Sequence, residues 1–332
     1  MYNTVKIEKG FYNLSGKTFS QALEAVDPSE NYTDEALRKA DAFERQLKRF
    51  DIKVRGVNAD KVDKFFQTAE SALLFPEFVR RAVESGLNSG CLNKITAAVS
   101  VTDGIDCRGI VLDDGESEAD DTNDTKMYTK AVGVGSVLPE SSITLTDNAI
   151  VLEKYGRLIN APYEVIRQQR LDVFAAALRA VGAKLAKAIE GAAVKVLTES
   201  GKSVAMSGST FNYSELAAFW GNFKSCDMNA VLCSPATAAK ILAFDEMNKT
   251  VTTGGGNTVT PFGAEIIASP AVDDNTVIGL DKTCALEMIR GGEVTVDVDK
   301  LISKLSDGAA VAVNVGFSVI SADAVKCLAI GA

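Results

Sequence analysis

Apolar positions are spaced most regularly between residues 163 and 198. Leu171, Phe174, Leu178, Val181, Leu185, Ala188, Ala192 and Val196 recur at steps of three and four, which puts them on one stripe of a helix. Arg167, Arg170, Arg179, Lys184, Lys187 and Lys195 stay off that stripe and form a solvated or ion-paired flank. Such a helix would run about 50 Å at 1.5 Å per residue. It exceeds the usual globular range, so the spacing predicts a structural spine.

Upstream, "TDEALRKADAFERQLKRF" (33–50) predicts one helix with Thr33 as its N-cap. Leu37, Ala40, Phe43, Leu47 and Phe50 supply its apolar stripe. The segment 59–87 reads as helical pieces broken at Pro76. Its apolar groups have few sequence neighbours, which points to an arm that docks elsewhere. From 95 to 160 the pattern turns to β. Ile143 and Leu145 alternate with Thr144 and Thr146, and the alternation resumes at Ile150 and Leu152. After Gly201 an α+β pattern follows: "NAVLCS", a helix from Pro235 capped by Ser234, glycines at 254–256, and "AEIIAS". Two alternating strands carry Val294, Val296 and Val298, then Val311, Val313, Val315, Phe317 and Val319. "AVKCLAI" closes the chain.

Composition narrows the chemistry. The chain has 332 residues and no histidine, so Ser-His-Asp and Cys-His hydrolases and His-ligated metal sites are excluded. Its net charge of −9 does not suit a broad face for duplex DNA. Cys91, Cys107, Cys226, Cys233, Cys284 and Cys327 contain no Cys-x-x-Cys and read as reduced, packed side chains. Charged residues interrupt the most apolar segment, so no membrane span is expected. "LDDGESEADDTNDTK" (112–126) holds five Asp and two Glu against one Lys, without EF-hand spacing. It reads as a solvated, extended loop.

The nucleotide motifs fail. Gly133-x-Gly135 meets Leu138 where the dinucleotide fingerprint needs a third glycine, and it runs into Pro139 and a strand. "GFYNLSGKT" (10–18) spaces its glycines one residue too far for a Walker loop, and no apolar-periodic helix is expected cleanly behind it. "TTGGGNTVTPFG" has only Lys249 nearby for an anion. No catalytic constellation remains.

Several local stretches, taken in order, carry a family pattern. "LLFPEFVRRAVESGL" looks like an arm, and "GSVLPESSITL" (135–145) like the descending strand of an extended loop. "RLINAPYEVIRQQRLDVFAAALRAVGAKLAKAIEGAAVKVL" is similar to a strand-to-spine junction, with Asp172 opening the regular helix. "NAVLCSPATAAKIL", "TPFGAEIIASPAV" and "ADAVKCLAIGA" resemble pieces of one α+β domain. Over about 70–332 the chain resembles the major capsid proteins of tailed bacteriophages; residues 1–65 carry no pattern of that family.

The resemblance implies an α+β, Hong Kong 97-like capsid fold. Its parts would be an N-terminal helical arm (1–95) and an extended β-hairpin loop (96–160). A peripheral domain with the spine helix (161–202 and 287–318) and an axial α+β domain (203–286 and 319–332) would complete it. It also implies a structural protein that self-assembles into hexamers and pentamers, forming an icosahedral shell around phage double-stranded DNA. Such a protein resides in the virion capsid, is assembled in the host bacterial cytoplasm, and has no enzymatic role, cofactor, metal or membrane contact. Its partners would be copies of itself, portal, and scaffolding or decoration proteins, with non-specific DNA contacts at most.

Inter-subunit contacts are expected from Asp113, Asp114, Glu116, Glu118, Asp120, Asp121, Asp124, Pro139 and Glu140 of the extended loop. Gly254, Gly255 and Gly256 would line the capsomer centre. The spine seam would hold Leu171, Phe174, Leu178, Val181, Leu185 and Val196. No removal of a long propeptide is expected, and no Lys–Asn cross-link is carried over. An encapsulin-type nanocompartment shell of the same fold and a carboxylate-dependent enzyme are the other readings.

Overall fold

The computed structural model describes residues 6–13, 17–104, 106–113, 142–162, 167–247, 258–301 and 306–330. Helices begin where short polar side chains can satisfy first-turn amides. α1 (Phe19–Val26) follows a capping box in which the Thr18 hydroxyl accepts from Gln21 N and the Gln21 side chain accepts from Thr18 N. A helix therefore does start directly behind the "SGKT" stretch, and the Thr18 hydroxyl serves as its cap. α2 (Glu35–Arg38) is capped by Asp34, and α3 (Ala42–Arg49) by Asp41, whose carboxylate accepts from Glu44 N at 2.7 Å. The single helix expected over 33–50 is thus two. Asp41 starts a new helix, and the carbonyl of Ala40 accepts from Arg45 Nη1 at 2.6 Å. α4 (Ala69–Ala72) and α5 (Phe75–Leu87) follow, with Pro76 in the first turn of α5, where a missing N–H breaks no bond. α6 (Leu92–Ile95) leads into the strands.

These are β1 (Ala98–Val101), β2 (Asp106–Cys107), β3 (Ile110–Asp113), β4 (Ser142–Leu145), β5 (Ile150–Val151) and β6 (Glu153–Pro162). The spine helix α7 (Leu171–Ser200) has 30 residues. Then come β7 (Lys202–Ala205), α8 (Tyr213–Gly221), β8 (Ala230–Cys233), α9 (Pro235–Leu242) and β9 (Glu265–Ala268). Ser234 caps α9 by accepting from Thr237 N at 3.1 Å. β10 (Thr276–Leu280), β11 (Leu286–Arg290), β12 (Thr295–Leu301), β13 (Ser306–Val319) and β14 (Val325–Ala329) end the chain. Among the described residues, no helix is long and apolar enough to cross a membrane.

The chain forms two compact units. The first comprises Met1–Gly90, Lys154–Lys187 and Gly292–Val313. Here segment 59–87 docks on the first half of the spine helix: Val62 N donates to Gln169 O, and Leu171 N to Asp60 O. Phe75 stacks near Phe174 with ring centres 6.1 Å apart. Two glycines let α5 and α7 meet backbone to backbone. A Cβ on Gly182 would lie 2.1 Å from Val83 O, and one on Gly86 would lie 2.1 Å from Arg179 O. β12 pairs antiparallel with the start of β13, which β6 also joins.

The second unit comprises Cys91–Glu153, Ala188–Gly291 and Asn314–Ala332. Its five-stranded sheet has the order β7-β14-β10-β8-β9. Leu216 and Phe219 of α8 and Ile241 of α9 pack with Val231, Val277 and Leu328 of the sheet. β1 pairs parallel with β11, and β11 antiparallel with the end of β13. Two antiparallel ladders, β2–β5 and β3–β4, complete it.

Candidate functional site

The expected extended loop begins as the β3–β4 ladder, in which Ile110 faces Leu145 and Leu112 faces Ile143. Residues directly opposite share a face, as do residues two apart. Ile110, Leu112, Ile143 and Leu145 therefore form one apolar face. Ile143 is 71% exposed, Leu145 58% and Ile110 48%. Val151 of β5 and Val99 and Val101 of β1 are exposed as well. The ladder is rooted in its own unit: Leu112 N donates to Ile320 O at 2.8 Å, and Thr146 N to Gly109 O at 2.9 Å.

Asp113 ends β3, opposite Ser142. Asp114, Glu116, Glu118, Asp120, Asp121, Asp124, Pro139 and Glu140 lie outside the described residues. So do Gly254, Gly255 and Gly256. Downstream of those glycines a tight hairpin brings Thr260 N to Ala264 O at 2.8 Å, and Gly263 turns it with φ +92°.

On the spine helix Leu171, Leu178 and Leu185 are buried, while Phe174, Val181 and Val196 are half-buried. Past Leu185 the buried stripe passes through Ala186, Ile189, Ala193 and Leu197, and Ala188 is exposed. The first part of the helix belongs to one unit and the part from Ala188 to the other, so the two halves bury against different elements.

Two charged clusters in the first unit escaped sequence reading. Arg45 is fully buried; it pairs with Asp27 at 3.2 Å and Glu24 at 3.0 Å, and donates to the carbonyls of Ala40 and Asp27. Glu77 is also fully buried and accepts from Arg80, Arg81 and Ser20. Burial alone would raise its pKa, but these donors outweigh that and hold the carboxyl below its usual range. The first joins residues about twenty apart in sequence, whereas the second could have been flagged by the i,i+3 and i,i+4 spacing of Glu77 with Arg80 and Arg81, Ser20 being its one distant member. In the second unit, Cys226, Asp281 and Cys284 bring donor atoms within 4.8 Å of one another. Burial, with Cys284 and Asp281 alongside, pushes the Cys226 thiol up to about 12.

Solved structures share the fold. The virus-like particle from Pyrococcus furiosus is 15% identical with a TM-score of 0.54, covering 76% of this chain and 98% of that one. The structure of Microbacterium phage Oxtober96 is 12% identical with a TM-score of 0.52, covering 73% and 90%. The holo-SrpI encapsulin complex from Synechococcus elongatus PCC 7942 is 12% identical with a TM-score of 0.52, covering 72% and 89%. At such identities the likeness speaks for the fold, which is the Hong Kong 97-like capsid fold. Among curated proteins none matches in sequence. The family model described as phage capsid protein matches residues 146–326, from the last turn before β5 to the closing strand. That is more than half of the chain, and the chain belongs to the phage capsid protein family.

Proposed function

We propose that this chain is a major capsid protein whose copies assemble, as hexamers and pentamers, into an icosahedral shell around phage double-stranded DNA. The observation that carries the reading is the exposed apolar face of β3 and β4. A monomeric protein gains nothing from holding such a face in water, whereas a neighbouring copy can cover it. The acidic stretch 113–126 then reaches onto that neighbour, and the glycines at 254–256 meet their copies at the capsomer centre. The axial part is 203–286 with 319–332, and the peripheral part is 161–202 with 287–318. The negative net charge suits a container that must not bind its DNA tightly. Portal and scaffolding or decoration proteins would complete the particle in the host bacterial cytoplasm. Its role is structural, without catalysis.

Electron microscopy of the expressed protein tests this. Closed shells are expected, and a monodisperse monomer at micromolar concentration would sink the proposal. Nucleic acid inside particles from phage-infected cells separates a virion from an encapsulin-type shell, whose particles would instead carry a co-purifying enzyme. Deleting 113–126 should leave a folded subunit whose shells form poorly or break; normal, durable shells would remove the stretch from assembly.

A further inference from the structure

β8 and β10 pair antiparallel, with Ala230 opposite Leu280 at one end of the pair. Cys226 lies on the loop that enters this end, and Asp281 and Cys284 lie on the turn that leaves it. Strand pairing thus brings Cys226 to a carboxylate and a thiol that neighbour each other in sequence but lie far from it. We propose that Cys226, Asp281 and Cys284 bind a thiophilic divalent cation of the zinc class, which staples the β8 entry loop to the turn after β10.

Three observations carry this. First, the donor atoms all lie within 4.8 Å of one another. Zinc–sulfur bonds are about 2.3 Å and zinc–oxygen bonds about 2.0–2.2 Å, so donors around a tetrahedral ion sit about 3.5–3.8 Å apart. Closure from within 4.8 Å needs up to about 1 Å of adjustment, within reach of a rotamer change of the two thiols.

Second, the carboxylate is already held in place. Asp281 is 7% exposed. Its Oδ1 accepts from Thr283 Oγ1 at 2.6 Å, Asn229 Nδ2 at 2.7 Å and Thr283 N at 3.0 Å. Its Oδ2 accepts from Asp227 N alone among these donors, at 3.2 Å, and keeps lone-pair capacity for an ion. Asn229 also accepts from Lys282 N at 2.8 Å, which ties the entry loop to the turn. Such outer contacts orient metal ligands. Third, Cys284 N and Ala285 N both donate to Asp281 O, at 3.2 and 2.9 Å. This tight turn sets Asp281 and Cys284 side by side at the two-residue separation common in structural zinc sites.

The donor set decides the class of ion. Two thiolates with one carboxylate favour a soft or borderline cation over magnesium or calcium, which take oxygen donors. Binding displaces one proton from each thiol into solvent and leaves a fourth position for water. A disulfide between Cys226 and Cys284 would make no use of the anchored carboxylate.

The test uses the full-length reduced protein. Cadmium should give the ultraviolet thiolate-to-metal band, saturating at one equivalent per chain, and zinc should abolish it by competition. Zinc should slow alkylation of Cys226 and Cys284 by N-ethylmaleimide at least about tenfold while leaving Cys107 unchanged. Cys284→Ser and Asp281→Asn should weaken cadmium binding about tenfold or more, and Cys91→Ser should not. If a variant fails to fold, the alkylation of the unaltered chain decides alone. Absence of the band, equal protection of Cys107, undiminished binding by folded Cys284→Ser, or a Cys226–Cys284 disulfide in place of metal uptake would each overturn the proposal.

Discussion

β8 and the β3–β4 ladder use the same kinds of side chain and end in opposite surroundings. Ala230, Val231, Leu232 and Cys233 are all 0% exposed, whereas Ile143 and Leu145 are 71% and 58% exposed. β8 is an unbroken apolar run, the pattern of a strand covered on both faces. The face that carries Val231 and Cys233 packs against α8 and α9 from the same chain. β4 alternates, so it announces one apolar face, and the described residues of its unit leave Ile143, Leu145 and Ile110 of that face exposed. Alternation states that a face needs covering; it does not state by which molecule. The difference separates what folds the subunit from what joins subunits.

The largest effect should come from the covered side. Phe219 is 1% exposed and packs edge-on to Phe223, with ring centres 5.8 Å apart. Its ring also fills the space over Gly279, where an added Cβ would come within 2.7 Å of it. Phe219→Ala should cost about 3–5 kcal/mol, read as a lower denaturation midpoint of the isolated subunit. A loss below about 1 kcal/mol would mean that α8 is not integral to the sheet.

Charging the open side should do the reverse. The double substitution Ile143→Asp with Leu145→Asp should change subunit stability by no more than about 0.5 kcal/mol, as is usual at exposed positions. It should nevertheless abolish shells seen by electron microscopy, because two carboxylates would have to be desolvated against the neighbour. Shells at normal yield would show that this face stays wet in the particle.

Acid should weaken the sheet before it affects the ladder's apolar contact. Burial would raise the pKa of Glu265 on β9, but Lys94 at 2.8 Å and Lys282 at 3.3 Å outweigh it and hold the carboxyl below its usual range. A carboxylate with a depressed folded pKa contributes stability that is present above its ordinary value and lost as pH falls through the folded one. The melting temperature of the subunit should therefore fall from about pH 5 downward, and Glu265→Gln should flatten that slope. An unchanged slope would place the acid sensitivity elsewhere, Glu24, Glu77 and Asp281 being the other described carboxyls held low.

How legible these regions were follows from the range of the interactions. The spine helix could be read because its signal is local: each apolar residue from Leu171 to Leu185 is three or four from the next. The stripe then departs from the Ala188–Ala192–Val196 reading toward Ile189, Ala193 and Leu197, because the partner elements change and helix periodicity alone does not record that. The split at Asp41 was hidden because Ala40, Phe43 and Leu47 keep a helical spacing across it. Arg45 lies off the apolar spacing of Phe43 and Leu47, yet it is fully buried among Asp27, Glu24 and main-chain carbonyls. Of the Cys226–Asp281–Cys284 cluster only the Asp281–Cys284 spacing stands in the sequence, since strand pairing brings Cys226 to it.

The smallest predicted effect probes where the ladder leaves the folded body. Gly109 N donates to Thr146 Oγ1 at 3.1 Å, and that hydroxyl donates to Asn148 O at 3.0 Å. Glycine is required at 109, since a Cβ there would lie 2.3 Å from Ser318 Oγ. Thr146→Val keeps the shape and removes the acceptor, at a cost of about 1 kcal/mol. The amide of Gly109 should then exchange its hydrogen about fivefold faster, with the global midpoint little changed, and Thr146→Ser should restore the slow rate. Unaltered exchange in the valine variant would shift the root of the ladder to the Leu112–Ile320 bond, and the boundary between subunit and interface would then lie further out along β3.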